Sequence, residues 1–189
     1  SVGNLGGQLG PYVIGKVDMP RRIAHACVRA GVQRLIHVSA LGVTDTRAPS
    51  SYLRSKAAGE QALREVPGLQ VTVLRPSLMF GAHDKLTNLF ADLQRVAPLV
   101  PLAGANAKVQ PVWVEDVAQA IVRCLDAPAT LGQTIECAGP EVVTLAELVR
   151  LAGRLSGHPR PIIALPEALG RLQAAAMELM PGEPLMSRD

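Results

Sequence analysis

The chain has 189 residues, of which 48% are hydrophobic and 19% charged, a composition typical of a globular protein with a real core. The net charge of +3 comes from scattered lysines and arginines without a basic cluster, so we expect no nucleic-acid partner. Three distant cysteines argue against a disulfide framework and a zinc site, and no membrane span or signal peptide is recognisable. A cytoplasmic protein without a bound metal is expected.

Short apolar runs alternate with amphipathic stretches along the chain, which predicts α/β architecture. Asp18 should cap a first helix that runs to about Ala30 and ends at Gly31. The run from Arg34 to Ser39 predicts a strand buried on both faces, as in a parallel sheet. Further strands are predicted at 70–75, 109–114, 134–137 and 162–165, further helices at 51–66, 85–96, 116–125, 145–155 and 167–179, and a Pro/Gly-rich loop at 98–107. Thr144 and Glu147 predict a capping box.

Tyr52 and Lys56 are four residues apart on the predicted helix 51–66, so both side chains project from one face. This spacing also occurs on ordinary solvent-facing helices, and the context therefore decides its meaning. Ser39 ends the preceding strand, where ligands bind in open α/β sheets. A nearby ammonium lowers the pKa of a phenol, about 10 when unperturbed, toward the working range of a general acid or base. The three residues predict a site for proton transfer.

Four segments around these residues occur in an informative order. They are Ile36-His-Val-Ser-Ala-Leu-Gly42, Tyr52-Leu-Arg-Ser-Lys-Ala-Ala-Gly-Glu60, Leu74-Arg-Pro-Ser-Leu-Met-Phe-Gly81 and Val112-Trp-Val-Glu-Asp-Val-Ala118. The series resembles the extended and atypical short-chain dehydrogenase/reductase superfamily, which includes NAD-dependent epimerases and dehydratases. Within it, the chain is most similar to the branch of the NADPH-carrying accessory subunit of respiratory complex I and its bacterial relatives. This resemblance implies a Rossmann-like, doubly wound parallel sheet with a small, mostly helical substrate lobe.

The resemblance also implies roles for individual residues. Ser39, Tyr52 and Lys56 would form the catalytic triad and contact the cofactor, NAD or NADP, with NADPH favoured by the branch. Other residues that would contact the cofactor are Leu5, Gly6, Pro76, Ser77 and Phe80. Asp116 is expected to cap a helix rather than bind a ligand. Arg75 would meet either a phosphate or substrate acid, or a structural ion-pair partner.

The family pattern divides the chain into parts. Residues 1–81 and 108–138 would form a partial NAD(P)-binding domain, 82–107 and 139–180 a substrate-side lobe, and 181–189 a frayed tail. The glycine-rich turn that holds the pyrophosphate is not matched, because the glycines between Gly3 and Gly10 have another spacing. We expect on the order of 70 residues before this point to be missing. The apolar sheet edge left by their absence predicts a homo-oligomer.

Two functions remain open from the sequence. One is an oxidoreductase or epimerase acting on a carbonyl or hydroxyl of a small molecule, with Tyr52 as acid and base. The other is a non-catalytic NADPH-binding accessory or assembly subunit of a respiratory NADH:quinone oxidoreductase, associated peripherally with the inner membrane.

The apolar composition of the predicted lobe bears on the substrate. Its large apolar residues include Leu86, Leu89, Phe90, Leu93, Leu99 and Leu102. They favour a quinone or lipid-like molecule over a nucleotide sugar, unless they only pack the lobe itself.

Overall fold

The computed structural model describes residues 17–43 and 50–166. Its helices are α1 (Met19–Arg29), α2 (Ser51–Arg64), α3 (Lys85–Val96), α4 (Val114–Asp126) and α5 (Leu145–Leu155). Its strands are β1 (Arg34–Val38), β2 (Gln70–Pro76), β3 (Met79–Phe80), β4 (Val100–Ala103), β5 (Lys108–Val109), β6 (Val112–Trp113), β7 (Thr134–Cys137), β8 (Val143–Thr144) and β9 (Ile162–Leu165). None of the helices in these two ranges has the length and apolarity needed to cross a membrane.

The chain forms two compact units. Of the described residues, the first unit contains 17–43, 50–76 and Val117–Cys137, and the second contains Ser77–Asp116 and 138–166. The expected Rossmann-like α/β fold is confirmed, with parallel strands and helices that alternate along the chain.

The first unit is organised around a parallel sheet with the strand order β1-β2-β7. β2 lies in the middle and is buried over most of its length. β1 is only half-buried along its whole length, although its apolar run predicted burial on both faces. The two strands differ in burial because β2 has a neighbouring strand on each side in the described sheet, whereas β1 has one.

One face of this sheet changes from apolar to polar along the strands. At the base, a buried cluster joins the sheet to α1 and α2; it consists of Ala24, Leu63, Val66, Leu69, Val71 and Val73. Because side chains alternate along a strand, Arg75 lies on the same face as Val71 and Val73, at the carboxyl end. Ser39 follows β1 at the same end, since its amide donates to the Leu74 carbonyl at 2.7 Å. The site described below is built from this polar end.

The second unit packs α3 against α5 and contains three two-stranded pairs. β3 pairs with β6 and β4 with β9, both in parallel, and β5 pairs antiparallel with β8. Its core consists of Phe90, Val100, Leu102, Ala105, Leu145, Ala146 and Val149. Two of the leucines that suggested an apolar substrate differ in their surroundings: Leu102 is in this core, whereas Leu99 is 41% exposed.

Most of the predicted elements are present, some at the predicted bounds. The helix 85–96 and the strands 134–137 and 162–165 are confirmed to the residue. The capping box is also confirmed, because Thr144 and Glu147 exchange both of its hydrogen bonds. Gly31 follows α1 with a φ of +74°, as its role as a helix stop requires.

Three local predictions are wrong. Asp18 has helical backbone angles and makes no capping bond, so it does not cap α1. Asp116 lies in the first turn of α4, which begins two residues earlier at Val114. The predicted loop 98–107 contains β4, whose buried Val100 and Leu102 alternate with the exposed Pro101 and the half-buried Ala103 in the pattern of a strand. The predicted helix 167–179 lies outside the described residues.

Candidate functional site

Three side chains follow one another at helical spacing on one face of α2: Tyr52, Lys56 and Glu60. The Lys56 ammonium nitrogen lies 5.9 Å from the centre of the Tyr52 ring. It also donates a hydrogen bond to the Val38 carbonyl at 3.3 Å, which fixes it at the end of β1. Tyr52 remains 40% exposed. The structure therefore brings Tyr52 and Lys56 together at the carboxyl end of the sheet, as the sequence predicted.

The third triad residue, Ser39, is also at this end of the sheet, but its hydroxyl is engaged within the protein. Ser39 Oγ donates to Glu60 Oε1 at 2.5 Å. The residue is only 4% exposed. A serine hydroxyl has a single O–H, so a catalytic role in which Ser39 donates to a substrate oxygen would require this bond to the carboxylate to break.

Glu60 is the residue that sequence reasoning missed. It is 4% exposed, and its carboxylate accepts two hydrogen bonds from the guanidinium of Arg75, at 3.1 Å from Nε and 2.8 Å from Nη2. Of the two roles expected for Arg75, the structure shows the ion pair inside the protein. The sequence signal that could have identified Glu60 is its helical spacing, because it follows Lys56 by four residues and Tyr52 by eight.

The electrostatics of the pair differ from expectation. The neighbouring ammonium predicted a lowered Tyr52 pKa, but burial raises the pKa of Tyr52 above its usual value of 10. Burial likewise lowers the pKa of Lys56, and the negative charge of Glu60 partly opposes this. The prediction of a lowered tyrosine pKa is therefore wrong, because burial disfavours the phenolate.

Two further groups at this end of the sheet, His37 and Glu60, have pKa values below their usual ones. The pKa of His37 on β1 is lowered by burial and by the charge of Lys56, against an opposing effect of Glu60. At Glu60, burial raises the pKa, but hydrogen bonds from Arg75 and Ser39 outweigh this effect, so that the pKa lies below its usual value. Glu60 is therefore a buried carboxylate that stays charged near neutral pH.

The remaining cofactor residues implied by the resemblance are distributed over both units. Pro76 is buried at the end of β2, and its carbonyl accepts a hydrogen bond from the Leu41 amide at 2.8 Å. Ser77 belongs to the second unit, where its hydroxyl donates to the Gln110 carbonyl. Phe80, also in the second unit, is 38% exposed. Leu5 and Gly6 lie outside the described residues.

A groove of about 710 Å³ lies within the second unit. Its apolar lining includes Phe80, Ala91, Pro111, Val143, Leu148 and Leu151, and its polar lining includes Thr87, Asn88, Glu141 and Arg154. Phe80 thus lines a concave and mostly apolar surface, of the kind that holds small molecules.

The family pattern of the NAD dependent epimerase/dehydratase family matches residues 12–138. The chain is 40% identical to NADH dehydrogenase (ubiquinone) 1 alpha subcomplex subunit 9, mitochondrial, from Mus musculus, over 71% of this chain and 35% of that protein. It is 29% identical to a ceramide reductase from Caulobacter vibrioides, over 82% of this chain and 48% of the reductase. The chain thus spans about a third to half of the length of these relatives.

The fold has close counterparts among solved structures. The dTDP-glucose 4,6-dehydratase from Bacillus anthracis, solved in complex with NAD, superposes with a TM-score of 0.68 at 23% identity, over 82% of this chain and 56% of that one. The predicted resemblance to short-chain dehydrogenases is confirmed by the family match, and the predicted branch is confirmed by the mouse relative. The chain belongs to the NAD dependent epimerase/dehydratase family.

Proposed function

We propose that this chain provides the nicotinamide–ribose end of a dinucleotide site in an accessory subunit that binds NAD(P) without turning it over. The observation that carries this proposal is the Ser39 hydroxyl, which is 4% exposed and donates to Glu60 rather than facing a substrate. The half-exposed pair of Tyr52 and Lys56 is retained beside it.

The residues present suit a nicotinamide ribose. An ammonium has three donors, and Lys56 directs one of them at the Val38 carbonyl, which orients the group at the end of β1. Its other donors suit the two ribose hydroxyls, and Tyr52 adds a phenol on the same face. When bound, nicotinamide supplies hydride chemistry. Pro76, at the end of β2 in the same unit, would add a contact, and NADPH is the form that the branch resemblance favours.

The proton chemistry of the site favours binding over turnover. A general acid or base works best with a pKa near the operating pH, and burial moves that of Tyr52 further away. The mouse relative is named as a subunit of an NADH dehydrogenase. We propose that this chain is likewise a subunit of such a complex. Its partner would then be a membrane-bound respiratory NADH:quinone oxidoreductase, and the chain would lie at the membrane periphery.

Native mass spectrometry of the full chain, purified without added nucleotide, tests the proposal. We expect one dinucleotide per chain, no turnover with a panel of ketones, aldehydes and nucleotide sugars, and comigration with the respiratory complex in native gels. A chain that retains no NAD(P) and gains none on incubation would refute the proposal.

A second function is supported by the groove of the second unit and by the ceramide reductase. An apolar groove and a relative whose name denotes a lipid substrate suggest an oxidoreductase acting on a carbonyl or hydroxyl of an apolar molecule. NADPH oxidation with long-chain ketones, abolished in Tyr52→Phe but not in the exposed control Trp113→Phe, would favour this function over the first.

A further inference from the structure

We infer that Glu60 is a positioning residue of the Tyr52–Lys56 site: its buried carboxylate anchors the face of α2 that carries Lys56 and places a negative charge one helical turn from the ammonium. This inference rests on the proposed function for its biological meaning. Its physical content, the control of Lys56 by Glu60, can be measured without a cofactor.

The first part of the argument is mechanical. Glu60 lies one helical turn after Lys56 on α2, and its carboxylate is bonded to groups at the ends of two strands at once. One partner is Ser39, directly after β1, at 2.5 Å, and the other is Arg75 on β2, through a two-bond fork at 3.1 and 2.8 Å. Such forks fix the relative orientation of both groups. The face of α2 that carries Lys56 is therefore anchored to the carboxyl ends of β1 and β2.

The second part is electrostatic. Three groups act on Glu60: Arg64 on α2, Ser39 after β1 and Arg75 on β2. Glu60 acts in turn on Lys56 of α2 and on His37 of β1, and Glu136 of β7 acts on Arg75. Burial pushes Lys56 toward its neutral form, and Glu60 is the group that opposes this. A neutral Lys56 would keep only two of its three donors and would lose the charge that strengthens hydrogen bonds to a ribose.

The substitution Glu60→Gln removes the charge and keeps most of the anchor. Glutamine has nearly the same shape, and its one side-chain oxygen can still accept from Ser39 Oγ and Arg75 Nε, but its amide nitrogen cannot accept from Arg75 Nη2. The anchor is therefore weakened by one bond, whereas the charge that acts on Lys56 is lost entirely. Glu65→Gln, at the exposed end of the same helix, makes the same change of charge away from the site and serves as the control.

The direct readout is the titration of Lys56 in the full chain without nucleotide, followed by NMR of ¹³C-methylated lysines and assigned with Lys56→Arg. We expect the Lys56 midpoint to fall by about one pH unit in Glu60→Gln, because the negative charge that opposes the effect of burial is removed. It should stay unchanged in Glu65→Gln and recover in part in Glu60→Asp. Circular dichroism checks that each variant is folded.

NADPH fluorescence titration adds the functional readout. The alkaline limb of the affinity profile should move to lower pH in Glu60→Gln by the same amount as the Lys56 midpoint. An unchanged Lys56 midpoint in a folded Glu60→Gln variant would overturn the inference. If that midpoint shifts while the wild-type chain binds no nucleotide, the inference stands and the proposed function fails.

Discussion

At Tyr52, burial and a neighbouring cation act on the phenol in opposite directions. The ammonium of Lys56 lies 5.9 Å from the ring centre, and the pKa of Tyr52 is nevertheless raised by burial. The same burial lowers the pKa of Lys56, so each member of the pair tends toward its neutral form. A pair with these properties is better suited to donate hydrogen bonds to a ligand than to abstract protons from one.

This difference between the two residues predicts different effects on cofactor affinity. Lys56→Met removes charge-assisted hydrogen bonds; the loss of a single such bond, contributing about 1.5–3 kcal/mol, should weaken NADPH binding by about 10- to 150-fold, and the loss of more than one should weaken it further. Tyr52→Phe removes one neutral hydroxyl, contributing about 0.5–1.5 kcal/mol, and should weaken it by roughly 2- to 12-fold. Fluorescence titration at pH 7 measures both. The exposed Lys108→Met is a matched control, and a larger loss in Tyr52→Phe than in Lys56→Met would contradict the assignment.

The sequence predicted part of this site and not the rest, for a physical reason. Tyr52 and Lys56 are one turn apart on a single helix, so local spacing is enough to place them together. The engagement of Ser39 depends on Glu60, 21 residues further along the chain, and that of Glu60 depends on Arg75, another 15 residues on. These contacts arise only when α2 packs across two strands, and the periodicity of the sequence does not contain this packing.

At the scale of elements, the contact between α3 and α5 depends on a fully buried polar side chain. Gln94 on α3 is 0% exposed; its amide donates to the carbonyls of Phe90 at 3.1 Å and Val149 at 2.9 Å. Its oxygen accepts from the Arg160 amide at 3.3 Å. Gly153 on α5 makes room for it, because a Cβ at this position would overlap the Gln94 side-chain oxygen. The two helices therefore meet through a specific amide–glycine contact.

Gly153→Ala should destabilise the protein despite the higher helix propensity of alanine. Alanine gains up to about 1 kcal/mol as a helix former, whereas displacement of a packed side chain costs about 1–3 kcal/mol. Because the three atoms nearest to that Cβ all belong to Gln94, the sign should reverse in a Gln94→Ala background, where Gly153→Ala becomes stabilising. Urea denaturation of the four proteins in this double-mutant cycle measures the coupling. Additive effects would show that the amide is not what Gly153 accommodates.

The elements themselves are predictable where local rules determine them. Helix α3 and the capping box of α5 follow from apolar periodicity and end signals that the sequence carries locally. Strand β4 escapes prediction because Pro101 and Gly104 suggest a loop, and its strand character comes from pairing with β9, about 60 residues away. Asp116 suits a helix cap by its residue type, but the helix begins at Val114, directly after β6.

At the scale of the whole molecule, the polar end of the first unit makes the stability of the fold depend on pH. His37 and Glu60 both have pKa values below their usual values of 6.5 and 4.5, although for different reasons. A group whose pKa is lower in the folded chain binds its proton less readily there than in the unfolded chain. Its contribution is therefore present above the unfolded pKa and is lost as the pH falls below that value.

The two groups predict losses of stability in separate pH windows. As the pH falls below about 6.5, the unfolded chain takes up the His37 proton first, so the free energy of unfolding decreases by at most about 1.4 kcal/mol per pH unit. A further loss begins below about 4.5, where the unfolded chain protonates Glu60 and the folded chain does not yet. Urea denaturation between pH 8 and 3 measures both windows. His37→Gln should flatten the profile between pH 6.5 and 5.5, whereas the exposed control His25→Gln should leave it unchanged. Glu60→Gln should leave the upper window in place and flatten the lower one.

If His37→Gln retains the full wild-type slope below pH 6.5, the loss in that window comes from another group, and the buried polar end of the sheet is not what makes the fold sensitive to acid.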